Sequence, residues 1–112
     1  MLITILITDD TISKTEELLS FPLPSSIKDL WRYFQKLGEC LWKIRSEINE
    51  FIDAYPTKNG LPVNFRNDPR FDDTNIKQIE NNVEKRMSEC SEEAKRIEKE
   101  KERIALRALR GE

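Results

Sequence analysis

The sequence predicts a mainly α protein: an antiparallel, coiled-coil-like hairpin of two long helices, preceded by a short strand and a short helix and completed by oligomerisation or by a partner. Three observations carry this. An apolar stripe steps by three and four residues without a miss through Ile27, Leu30, Phe34, Leu37, Leu41, Ile44, Ile48, Phe51 and Tyr55. A second, weaker stripe runs through Ile76, Ile79, Val83, Met87, Cys90, Ala94 and Ile97, then Lys101, Ile104 and Ala108. Between the two, Pro56, Asn59-Gly60, Pro62 and Pro69 break any continuous helix.

In chain order, Met1 to Thr8 alternates Ile3, Ile5 and Ile7 with Leu2, Thr4, Leu6 and Thr8, the period of a strand with one wholly aliphatic face. No second strand of comparable strength follows, so its backbone groups are expected to pair with the same strand of another copy or with a partner's sheet edge. Asp9 and Asp10 cap a short helix over about residues 11–20, ended by Pro22 and Pro24. Ser25 or Ser26 caps the first long helix, with Asp29 completing a loose capping box. At about 1.5 Å per residue this helix is roughly 45 Å long and stops before Pro56. Asp72, Asp73 or Thr74 caps the second long helix, and Gly111 closes it. The expected organisation is therefore an N-terminal arm over residues 1–24, packed on the hairpin or swapped between copies, and a hairpin over residues 25–112. Its helices cover about 26–54 and 73–110, with the connector at 55–72.

Composition fits an elongated helical protein: 38% of the 112 residues are hydrophobic and 36% charged. The net charge of −2 favours neither nucleic acid nor membrane, but its distribution is uneven. Residues 72–94 carry −4 and residues 95–112 carry +3, so the basic end could dock on a partner or be neutralised by its neighbour. No stretch approaches the ~20 apolar residues of a membrane helix, and no basic n-region precedes the first apolar run. Two cysteines are too few for a disulfide framework, which points to a reduced, cytoplasmic setting.

Catalysis is not expected. Histidine is absent, which removes the commonest general base and the usual zinc ligand. Gly38, Gly60 and Gly111 stand alone, so there is no phosphate-cradling loop and no cofactor is expected. Glu39, Glu47, Glu50 and Asp53 lack the Glu-x-x-His element of di-iron bundles and read as solvated carboxylates.

The expected function is a non-enzymatic protein-interaction module, either a self-assembling bundle or a small adaptor subunit. The candidate protein contacts are Ile3, Ile5 and Ile7 on the strand, Trp31 and Trp42 beside the main stripe, and Ile104 and Leu109 at the far end. In the connector, Phe65, Arg66, Arg70 and Phe71 combine the residue types enriched at binding hot spots. The alternative is a nucleic-acid-binding accessory protein that uses Lys99, Arg103, Arg107 and Arg110 on phosphates. Interleaved Glu98, Glu100 and Glu102 argue against it.

The order strand, short helix, serine-capped helix in residues 1–45 is loosely similar to ribbon-helix-helix repressors, with Ile3, Ile5, Ile7 and Ser26 carrying the likeness. It is not adopted. Leu2, Thr4, Leu6 and Thr8 offer no charged reader for a DNA groove, and the second helix is about twice too long.

Overall fold

The computed structural model describes residues 3–53 and 71–111. Its elements are β1 (Ile3–Thr4), α1 (Asp9–Leu19), α2 (Ile27–Asp53), β2 (Phe71–Asp72) and α3 (Thr74–Leu109). The connector positions Tyr55, Phe65, Arg66 and Arg70 lie outside the described residues.

The two long helices form where the stripes place them. Ser26 starts α2: its side-chain oxygen accepts from the Asp29 amide at 3.2 Å, which satisfies a donor that the first turn cannot use internally, and its carbonyl accepts the first helical bond, from the Leu30 amide at 2.9 Å. Asp73 occupies the cap position of α3, while the Asp72 carboxylate accepts from both the amide and the hydroxyl of Thr74. Gly111, at φ +74°, takes the left-handed conformation past the end of α3 that glycine adopts without a Cβ clash.

The stripes meet in an antiparallel seam. Leu30, Leu37 and Leu41 pack with Val83, Cys90 and Ala94, whereas Ile44, Ile48 and Ile52 pack with Ile76 and Phe71. A polar clamp crosses the seam at its edge. Arg45 donates to the buried Glu80 at 3.1 Å and to Glu84 at 2.8 Å. The seam is unequal in length, because α2 has 27 residues and α3 has 36. The helices are thus about 40 Å and 54 Å long, and α3 from Lys101 to Arg110 is exposed throughout.

Two expectations about the N-terminal arm are corrected. The strand does not need another copy: β1 pairs in parallel with β2 of the same chain, Ile3 opposite Phe71 and Thr4 opposite Asp72, and the Ile5 amide extends the pairing to the Asp72 carbonyl at 3.0 Å. The two extended residues before α3 offer the open edge that the N-terminal segment requires. The expected alternation holds, with Ile5 buried, Ile3 and Ile7 half-buried, and Thr4 and Leu6 exposed. The cap of α1 is Thr8, not an aspartate; its hydroxyl accepts from the Thr11 amide at 3.4 Å, and Asp9 and Asp10 are the first helical residues. There their charges favour the positive end of the helix dipole.

Leu37 is fully buried at the centre of the seam. Leu37→Ala is expected to lower stability by about 2–5 kcal/mol, the cost of a lost buried side chain plus the cavity it leaves, read as a lower urea midpoint. An unchanged midpoint would mean that this face of α2 is not the seam.

Candidate protein-interaction surfaces

The α2 helix presents three parallel stripes, each about 100° from the next around its axis. The middle stripe is the seam with α3. The stripe one residue earlier, formed by Lys36, Cys40, Lys43 and Glu47, lies under α1. The stripe one residue later contains Trp31, Gly38 and Trp42.

The helix α1 docks largely through polar atoms. Its buried residues are Thr11 and Thr15, and only Leu18 and Leu19 reach the apolar core. Glu47, 8% exposed, anchors this face: Oε1 accepts from the Thr8 amide at 2.8 Å and Oε2 from the Thr11 hydroxyl. Burial pushes the Glu47 carboxyl up, but the hydrogen bonds from Thr11 and Thr8, helped by the charge of Lys43, outweigh it and hold the pKa below its ordinary value. The other end of α1 is pinned by Tyr33, whose hydroxyl donates to the Leu18 carbonyl at 2.6 Å, and by Arg86, which donates to the Phe21 carbonyl at 2.6 Å. The Arg86 guanidinium also lies 5.8 Å from the centre of the Tyr33 ring, within cation–π range. Between α1 and α2 runs a groove of about 520 Å³, with Leu18, Phe21 and Cys40 among its lining and charges of both signs at its rim.

The expected contact residues fall into distinct places. Ile3, Ile5, Ile7 and Phe71 belong to the core cluster around Ile48 and Ile76. Trp31 is 42% exposed and meets Phe34 edge to face, ring centres 5.3 Å apart; Trp42 is 70% exposed. Ile104 and Leu109 are exposed on the overhanging end of α3, and Leu106 joins them. Lys99, Arg103, Arg107 and Arg110 are exposed on the same helix, with Arg103 ion-paired to Glu100. Arg96 is likewise ion-paired, with Glu93.

Sequence reasoning missed two features. Glu47 is not a solvated carboxylate like Glu39, Glu50 and Asp53, because α1 covers it. Its signal was the spacing of Thr8, Thr11 and Thr15, a polar stripe of helical period on a helix too short to fold alone. Arg86 gave no signal of its role at α1, since Tyr33 and Phe21 are separated from it by 53 and 65 residues. Both cysteines are free thiols, and burial pushes the Cys90 thiol pKa up. Among the described residues, no group of three or more His, Cys, Asp or Glu side chains is placed to hold a metal ion, and no helix is long and apolar enough to cross a membrane.

Comparison with protein-family models, with curated proteins and with solved structures finds no match.

The pKa of Glu47 generates a test of α1 docking. A folded-state value below the ordinary 4.5 leaves the folded chain with fewer bound protons than the unfolded chain between the two values. Its stabilising effect is thus complete above about pH 4.5 and is lost as pH falls through the folded value. Glu47→Gln is expected to cost about 1–3 kcal/mol at neutral pH and to flatten the acid limb of a melting-temperature profile. Asp72, held low by its Thr74 hydrogen bonds, and Glu93, held low by its hydrogen bond with Arg96, contribute to the slope that remains. An acid limb identical to that of the unaltered chain would remove Glu47 from this role.

Proposed function

We propose that this chain is a non-enzymatic protein-interaction module, a self-assembling helical bundle or a small adaptor subunit of a larger complex. One observation carries the reading: α3 continues past the start of α2 with Ile104 and Leu109, 58% and 84% exposed, flanking Ala105 and Ala108 on one side of the helix, and with Leu106, 52% exposed, on the other. Exposed apolar side chains on a regular helix, held out beyond its own fold, are the form of an element that another protein covers. The two free thiols suit a reducing, cytoplasmic setting.

Nucleic-acid binding is the second reading, favoured by exposed Lys99, Arg107 and Arg110 on the same helix. It is weaker because Arg103 is already paired with Glu100, and because a phosphate-binding surface has no use for exposed Ile104 and Leu109.

One pair of variants separates the two. If the overhang docks on protein, Ile104→Asp or Leu109→Asp abolishes capture of a partner from native lysate while leaving the melting curve unchanged, since neither side chain touches the seam. The intact chain then shows no salt-sensitive binding to generic DNA or RNA. If the overhang reads phosphates, replacing Arg103, Arg107 and Arg110 with glutamine removes a nucleic-acid affinity that falls steeply from low to physiological salt. That second outcome reverses the ranking.

A further inference from the structure

The third stripe of α2 is open at Trp31 and Trp42, while Gly38 between them is half-buried beside Met87 of α3. Trp31, Gly38 and Trp42 stand one residue after Leu30, Leu37 and Leu41, so they lie about 100° from the seam, on the side away from α1. Trp31 and Trp42 are eleven residues apart, three turns or about 16 Å along one line, and both are exposed.

Gly38, between them, has no reason within the chain. Glycine in a helix interior is less favourable than any residue except proline. A Cβ added here would meet only the Met87 Cε, at an ordinary 3.6 Å. Alanine would fit, so the seam does not require glycine. Met87 of α3 already lies beside this position, so the open part of the face is carried by the two tryptophans.

The charge order along α2 identifies that other body. Residues 27–38 carry a net +2 and residues 39–53 a net −2. This opposes the helix dipole, which favours acidic side chains at the start and basic ones at the end, and the last turn of α2 has no basic residue. On the flank of the Trp stripe, exposed Lys28 and Arg32 lie toward the start and exposed Glu50 and Asp53 toward the end. An antiparallel copy of the same helix meets each half with its opposite.

We propose that the Trp31–Gly38–Trp42 face of α2 binds a second copy of this chain, the two α2 helices antiparallel about a two-fold axis near Gly38. With the axis there, Trp42 of one copy packs beside the Trp31–Phe34 pair of the other, and Lys28 faces Glu50 across the interface. The proposal deepens the protein-interaction reading and rests on it.

The test is sedimentation of the full-length chain from low to high micromolar concentration. The mass is expected to rise from 13.2 kDa to twice that value, with Trp emission shifting to the blue as Trp42 is covered. Trp42→Ala should weaken dimerisation at least tenfold while leaving the helical circular-dichroism signal of the dilute chain intact. Lys28→Glu with Arg32→Glu, and separately Glu50→Lys with Asp53→Lys, should each abolish self-association. An equimolar mixture of the two charge-reversed chains should restore it, because every facing pair is then again opposite in sign. A wild-type chain that stays at 13.2 kDa, a dimer indifferent to Trp42→Ala, or a mixture that fails to associate each overturns the proposal. A monomer whose Trp42→Ala variant loses a different protein also overturns it. If self-association fails while Ile104→Asp still costs partner capture, the protein-interaction reading survives without this interface.

Discussion

The antiparallel seam between α2 and α3 is the constraint on which the rest of the molecule leans. Leu30, Leu37, Ile44, Ile48, Val83 and Cys90 are fully withdrawn from water there, and burial of each large aliphatic chain contributes on the order of 1.5–3 kcal/mol. Neither helix could hold its shape alone, since helices in water owe most of their stability to the packing of an apolar face. Once the seam forms, its register positions everything else. Arg45 comes beside Glu80 and Glu84, Arg86 comes beside Tyr33, and the start of α3 brings Phe71 and Asp72 against the N-terminal segment.

The attachment of α1 obeys a different physics. Its contacts are a buried carboxylate with threonine and backbone donors at one end, and a tyrosine and an arginine on backbone carbonyls at the other. Such contacts are directional and set the position of α1 closely, but each adds little net stability because water offers comparable partners in the open state. The docking of α1 is therefore held less strongly than the seam, whereas β1, with Ile5 in the core, is tied by apolar burial.

What remains uncovered is ordered by geometry. A helix in a two-helix seam has one face inside, and the faces on either side need separate covering if they are apolar. On α2, α1 covers one of those sides and leaves the side bearing Trp31 and Trp42 open. On α3, the seam ends where α2 begins, and the helix continues with its apolar residues exposed. Both surfaces follow from the same fact, that the hairpin has more amphipathic helix than it has core to bury.

The sequence by itself determined the two long helices, a serine cap at position 25 or 26, the closing Gly111, the alternation of β1 and the projection of α3 beyond its partner, because these depend on period and length, which are local properties. The exposed character of Trp42, Ile104 and Leu109 was legible for the same reason, each falling off the stripe or beyond its reach. Only the tertiary structure decided where the N-terminal strand finds its partner, since two extended residues before α3 are too short to leave a period in the sequence. It alone decided that Glu47 is buried while Glu50 is not, and that Arg86 serves α1. Those assignments depend on which side of α2 a distant helix settles, and that choice is made by hydrogen bonds between residues 15 to 65 positions apart, a relation that no local pattern encodes.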